Sequence, residues 1–368
     1  MSEFSSLWPE IILSVAGALI MLASPILGRR ESDVHALLAC SGLLAAMLAT
    51  LLSWNERAAV FFGMVLVDPF SQLARLILFA VLFCIAATSL QYLNREGINF
   101  GEFHALLLFV TAGASLMVIS ADLILTFLAL EIMSIGTYVL AGFRRDNSGS
   151  TEASIKYFLL GSFSTAFLLY GIALLYGATG STRYLELASR LHGAPDPLAL
   201  AGLAFILVGF GFKVATAPFH VWTPDVYQGA PLPVTTFMST GVKAAGFLAF
   251  IRIFYMALTG LNREWSDILW IVAVLTMFLG NVTALVQTDI KRLLAYSSIA
   301  HAGYILLGFV SRSQWGIEAI LYYLLAYSLM NLGAFTVVQM VSRREESGMR
   351  LDDYAGLGRR QPWLAGAL

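Results

Sequence analysis

Residues 208–247 read VGFGFKVATAPFHVWTPDVYQGAPLPVTTFMSTGVKAAGF. Lys213 closes one long apolar run, Pro218 follows five residues later, and Lys243 sits inside the next apolar run. Proline has no N–H and its ring clashes with the carbonyl four residues back, here Val214, so a helix ends or kinks at this point. The carbonyls freed at 214–217 need water, a cation or enclosing protein, because at membrane depth irregular backbone survives only inside protein or beside a wet cavity. Broken helices next to charges are a recurring device of ion transporters. The stretch therefore predicts a helical membrane bundle with an interrupted span.

Composition agrees. The 368 residues are 58% hydrophobic and 12% charged, with a mean hydropathy of +0.78, whereas soluble domains are about 25% charged. Apolar runs long enough for a bilayer fall at 9–27, 34–53, 66–91, 103–120, 123–142, 154–178, 198–217, 232–258, 267–286, 293–311 and 316–341. The expectation is an all-α transmembrane bundle of about eleven spans with a broken seventh helix. Residues 182–191 read as a short amphipathic helix at the interface. The acidic start and its long apolar run read as a retained first helix rather than a cleaved leader. QPWLAGAL, 361–368, begins another apolar run, as a twelfth helix cut short would.

Connections after odd-numbered spans carry Arg29, Arg30, Arg95, Arg144, Arg145, Lys291, Arg292, Arg343, Arg344, Arg350, Arg359 and Arg360. Those after even-numbered spans carry Arg57, Arg183, Arg190, Arg263 and Arg312. The excess places the odd loops in the cytoplasm and the N-terminus outside.

A charge at the centre of a spanning helix costs about 2.5–3.5 kcal/mol on insertion scales, so such residues usually serve a function. Glu131 lies mid-span with no route to water for its short arm, and Lys243 is placed similarly. Lys213 borders the break. Lys156 is near enough to a span end to snorkel. Arg75 and Arg252, nearer span ends, read as interface anchors, and Lys291 on its own reads as an ordinary cytoplasmic charge. A Glu–Lys pair at 4 Å and an effective dielectric of 20 attracts by about 4 kcal/mol. Burial favours a neutral amine and a neighbouring carboxylate favours the ammonium, so moving the acid releases a proton. His220, just past the break, carries an imidazole that titrates near neutral pH. His301 lies mid-span among Ser297, Ser298 and Tyr304, where it could extend a polar path. His104 at a span start and His35 and His192 in loops read as incidental.

Several chemistries are excluded. A net charge of −1 points away from nucleic acid. Cys40 and Cys84 stand alone in apolar runs and make neither a metal site nor an iron–sulfur centre. GFGFKV lacks the third glycine of a dinucleotide fingerprint, and there is no phosphate loop. The NVT at Asn281 is a glycosylation sequon buried in a span. The chain thus offers no metal or cofactor site of its own.

KVATAPFHVWTPDVYQGAPLPVTTFMS, LALEIMSIGTYVLAGF, EASIKYFLLGSFSTAFLLYGIALLYGATG and QTDIKRLLAYSSIAHAGYILLGF resemble the antiporter-like membrane subunits of respiratory complex I, the N-type (subunit 2) of bacterial NADH:quinone oxidoreductase in particular. The resemblance covers essentially the whole chain. It implies a proton-translocating membrane-arm module driven by quinone reduction elsewhere, with FMN, iron–sulfur clusters and quinone held by partner subunits, in a bacterial inner membrane. It implies that Glu131, Lys213 and Lys243 match the family's relay residues, that Lys156 and Lys291 fall on family lysines, and that His220 matches the motif histidine. It also implies two inverted five-helix repeats starting near spans four and nine, hence a three-helix part over 1–100, a first repeat with the proton path over 101–260, and the start of a second over 261–368. Family members continue through a second broken helix with its own lysine; the chain ends where that region begins, as a C-terminally truncated subunit would. A subunit of a cation/proton antiporter or membrane-bound hydrogenase shares these motifs. A stand-alone solute transporter needs more varied midplane polar groups, and a mere scaffold does not need intramembrane charges.

Overall fold

The computed structural model describes residues 3–27, 32–192 and 196–368. Arg29 and Arg30, which entered the orientation argument, lie outside the described residues. The chain is a helical bundle. Ten of the described helices are long and apolar enough to cross a membrane, and the Pro197–Lys213 helix is a shorter apolar one.

Three helices open the bundle: α1 (Trp8–Leu27), α2 (Ser32–Leu52) and α3 (Pro69–Glu96). A small antiparallel hairpin pairs Ala58–Val60 with Val65–Val67 between the last two, a feature the sequence reading did not foresee. Then come α4 (Gly101–Ile119), α5 (Leu123–Ala141), α6 (Ser148–Thr179), the short α7 (Tyr184–Arg190), α8 (Pro197–Lys213) and α9 (Thr223–Gly229). The central α10 spans Leu232–Ala257. It is followed by α11 (Asn262–Ala284), α12 (Ile290–Val310) and α13 (Gln314–Val341), and by two short helices, α14 (Leu357–Arg360) and α15 (Pro362–Ala367).

Helix starts follow the capping residues. Asp68 accepts from the Ser71 N–H while Ser71 bonds back to Asp68, with Pro69 at the first helical position of α3. Asp122, Asn147, Asp196, Asp289 and Ser313 cap α5, α6, α8, α12 and α13 through their side chains. Each satisfies backbone N–H groups that have no partner within the helix. Close helix packing rests on small residues, as membrane bundles require. A Cβ on Gly171 of α6 would lie 2.8 Å from the Gly202 carbonyl of α8, so these backbones touch only because both positions are glycine.

The seventh span is broken where Pro218 predicts. At 17 residues, α8 is about 26 Å long, short of a full crossing. The chain then unwinds through 214–222 and resumes as α9. Ala215 has φ 60°, a left-handed conformation. The Thr216 N–H returns to Gly211 O at 2.9 Å, and the Ala217 N–H reaches Thr276 Oγ1 on α11 at 2.9 Å. Trp222 Nε1 donates to Phe212 O at 3.1 Å. Val214, Ala215, Thr216 and Ala217 are buried. The larger cavity beside the break, about 190 Å³, is lined by Leu207, Val208, Phe219, Phe250, Leu269 and other apolar residues with only Thr216 polar. Over 214–217 the irregular backbone is tolerated chiefly because protein encloses it, not because that cavity is wet, whereas Pro218 and Val221 are exposed.

Four sequence expectations are corrected. Arg75 is 1% exposed and forks onto Glu10 of α1 at 3.0 and 2.8 Å, also donating to Ser6 O. Arg252 is buried and forks onto Asp68 at 2.7 and 2.6 Å. Neither is an interface anchor; both are buried ion pairs, whose acids lie 65 and 184 residues away in sequence. His35 lies on α2 rather than in a loop, and both it and His104 are buried. Asn281 is in a span but on its outer surface, donating to Tyr304 Oη.

Candidate functional site

α10 is the axis of the site. Every residue in its most apolar window is buried, yet it carries Thr235, Thr236, Ser239, Thr240 and Lys243. A wide π turn at Met238–Val242 immediately precedes Lys243. Such turns interrupt the regular ladder and concentrate at functional positions. Lys243 is 1% exposed, so no route to the surface remains for its ammonium. Its Nζ donates to Ser298 O at 2.6 Å and to Ser298 Oγ at 2.5 Å on α12. Tyr327 Oη of α13 donates to the same hydroxyl at 2.7 Å. The Tyr327 ring also packs near His301, whose Nδ1 is 2.6 Å from Tyr323 Oη. Lys243, Ser298, Tyr327, His301 and Tyr323 thus form one polar cluster.

Lys213, at the last turn of α8, is 5% exposed. The Glu–Lys pairs suggested by the sequence do not include an ion pair at Lys213 among the described residues; its Nζ donates to Ser134 Oγ at 2.8 Å. Ser134 is three residues beyond Glu131 on α5, so both share one helix face. Glu131 Oε1 is buried without a hydrogen-bond partner among the described residues. Tyr157 Oη is also buried and has no hydrogen-bond partner among the described residues, with its ring 5.8 Å from Lys213 Nζ. A narrow crevice lined by Leu130, Ser134, Tyr138, Ser164, Thr165 and Lys213 runs beside the Lys213–Ser134 contact. Unsatisfied buried polar atoms call for a reason; at this site a water or a moving proton would supply it.

The remaining candidates lie toward the end of the bundle that carries Arg144. Lys156 is partly exposed and pairs with Glu152 at 2.7 Å and Asp225 at 2.8 Å, as a snorkelling lysine would. Arg292 pairs with the other Asp225 oxygen at 2.7 Å. Lys291 is not an ordinary surface charge. Its side chain is 1% exposed, bonded to Ala230 O at 2.6 Å and to Glu346 at 2.8 Å. Burial works against the Glu346 carboxylate, but the Lys291 charge and hydrogen bonds from Lys291, Tyr92 and the Leu232 N–H outweigh it and hold its pKa below the usual range. His220 stands apart: half-buried, with Nδ1 unpartnered among the described residues.

Sequence reasoning missed Ser134, Tyr327 and Glu346, and it named Ser298 only as a neighbour of His301. Hydroxyls are common in membrane helices, and only the fold shows which ones meet an ammonium.

The family model described as NADH:quinone oxidoreductase/Mrp antiporter, TM, matches residues 120–368. The chain is 48% identical to the NADH-quinone oxidoreductase subunit N of Trichlorobacter lovleyi, over 98% of this chain and 74% of that protein. It is 41% identical to the subunit N of Moorella thermoacetica, over 99% of this chain and 76% of the relative. Among solved structures it is similar to a chain of respiratory complex I from Thermus thermophilus with bound Aureothin, with a TM-score of 0.80 and 37% identity over 97% of this chain and 75% of that one. It is also similar to a chain of the membrane-bound sulfane sulfur reductase, an archaeal respiratory membrane complex, with a TM-score of 0.88 and 25% identity over 100% of this chain and 77% of that one.

Proposed function

The chain belongs to the NADH:quinone oxidoreductase/Mrp antiporter membrane family, and from that membership we propose a relay of named side chains through which it works as a proton-translocating membrane subunit of NADH:quinone oxidoreductase. It is a multi-pass membrane protein and part of an enzyme complex, among other membrane-arm subunits. On this reading FMN, iron–sulfur clusters and quinone sit in partner subunits, and the membrane is a bacterial inner membrane with the N-terminus on the periplasmic side. The division into residues 1–100, 101–260 and 261–368 belongs to the same reading.

The observation that carries the relay is the burial of Lys213 and Lys243, each held by a serine hydroxyl with no ion pair among the described residues. A hydroxyl both donates and accepts, so each serine can pass a proton to or from the lysine it holds. Glu131 biases Lys213 through Ser134; Lys213 exchanges protons with Lys243; His301 and Tyr327 extend the path beyond Lys243. Lys291 and Lys156 supply the cytoplasm-facing end, and His220 acts at the break. Protons and water are the only small species this path needs.

A second reading, a subunit of a cation/proton antiporter, is favoured by the Mrp half of the family description. Mild-detergent purification of the tagged subunit separates the two. The expected result is co-purification of nucleotide- and cluster-binding subunits with NADH:quinone reductase activity. Recovery with membrane subunits only, and no such activity, would favour the antiporter.

A further inference from the structure

Next to the broken helix and the lysine clusters, one largely buried acid, its side chain 11% exposed, has no role in the relay described above. Glu346 lies on the connection after α13. Its carboxylate accepts from Lys291 Nζ at 2.8 Å, from the Leu232 N–H at 2.9 Å and from Tyr92 Oη, with Arg144 at 4.0 Å. It therefore touches α12, the start of the Lys243-bearing α10, and α3. The Leu232 N–H lies at a helix N-terminus, where N–H groups lack partners within the helix and negative charge is favoured. Glu345 and Glu346 both adopt left-handed backbone, φ 63° and 53°. That conformation is unfavourable for residues with a Cβ, and it clusters at functional and switching sites. Beside them opens a cavity of about 400 Å³ lined by Arg144, Lys156, Asp225, Asp289, Lys291 and Glu346, which is large and polar enough to hold water.

We propose that Glu346 is a further proton-carrying residue, the acid that passes protons from the water of this cavity to Lys291. The proposal rests on the proton-translocating reading above. The step balances simply. Hydronium in the cavity gives a proton to the carboxylate and becomes water. The resulting acid gives that proton to the neutral amine of Lys291, restoring carboxylate and forming ammonium. No electrons move. The groups that face Glu346 are Lys291 from α12, Tyr92 and Glu96 from α3, Arg144 after α5, and Glu345 beside it; Asp225, Asp289 and Lys156 share the cavity. At rest the carboxylate is ionised beside the Lys291 ammonium; the step begins once Lys291 has passed its proton on, because that removes the charge which disfavours protonation of Glu346.

The alternative role is a clamp that merely caps α10 and neutralises Lys291. Glu346→Gln and Glu346→Asp separate the two. Glutamine keeps an acceptor for the Leu232 N–H and for Lys291 but cannot carry a proton; aspartate can carry one on a shorter arm. Both are measured in the assembled complex in inverted membrane vesicles, with NADH-driven proton uptake and the amount of assembled subunit as readouts. The expected result is full assembly in both, pumping reduced about a hundredfold in Glu346→Gln, and Glu346→Asp retaining most of it. Equal pumping in Glu346→Gln and the unmodified complex overturns the proposal. So does loss of assembly in Glu346→Gln, or better pumping in Glu346→Gln than in Glu346→Asp, since each marks a clamp. Lys213→Ala in the same assay distinguishes the levels. If it pumps normally, the relay itself fails; if it is impaired while Glu346→Gln is not, only this inference fails.

Discussion

Lys243→Met should abolish proton pumping by the assembled complex while leaving the subunit folded. Methionine is unbranched, apolar and one atom shorter than lysine. It removes an ammonium whose placement in a membrane interior costs about 2.5–3.5 kcal/mol. The groups left behind are satisfied: Ser298 Oγ still accepts from Tyr327, and Ser298 O belongs to α12, where a helical N–H can reach it. Stability should therefore hold or rise slightly. The relay should not survive, because methionine carries no exchangeable proton and α10 is enclosed on every side. Losing a positioned acid–base group usually lowers a rate by about a hundredfold or more. NADH-driven proton uptake in inverted vesicles, normalised to assembled subunit, reads the effect. Retention of normal uptake would remove Lys243 from the path.

The largest stability effect is expected at Arg75. Its guanidinium forks onto Glu10 and also holds Ser6 O, tying α1 and the turn before it to α3. Arg75→Ala would leave the Glu10 carboxylate buried with Ser115 as its remaining neutral partner. Breaking a buried pair from one side costs about 3–5 kcal/mol, mostly for the stranded charge, whereas replacing both partners with apolar residues is often neutral. Arg75→Ala should lower the thermal midpoint of the detergent-solubilised complex and deplete the subunit from membranes. Adding Glu10→Leu to Arg75→Met should recover most of the loss. An Arg75→Ala variant as abundant and as heat-resistant as the parent would contradict this account of the pair.

These two residues mark where sequence reading succeeds and where it stops. Spans, their caps and the break at Pro218 are local: they follow from apolar run length, from Asp, Asn and Ser at helix starts, and from one missing N–H. Lys243 is legible too, because a charge in mid-span advertises itself. Arg75 and Arg252 look like interface anchors because their distance from span ends is all the sequence displays. Glu10 and Asp68, which bury them, are distant in the chain. Lys291 misleads for the same reason, since Glu346 reaches it from 55 residues away. The Glu131–Lys213 relation was legible as a pairing of types, but the intervening Ser134 was not. The Ala58–Val60 hairpin escaped because three-residue strands leave no usable periodicity.

The relay as a whole turns on Lys213 passing protons at the break. Its most direct test is the number of protons moved per quinone reduced in inverted vesicles carrying Lys213→Ala, with assembly checked in the same membranes. A lowered ratio or a parallel collapse of pumping and quinone reduction is the expected result. An unchanged ratio at an unchanged rate, in a fully assembled complex, would contradict it.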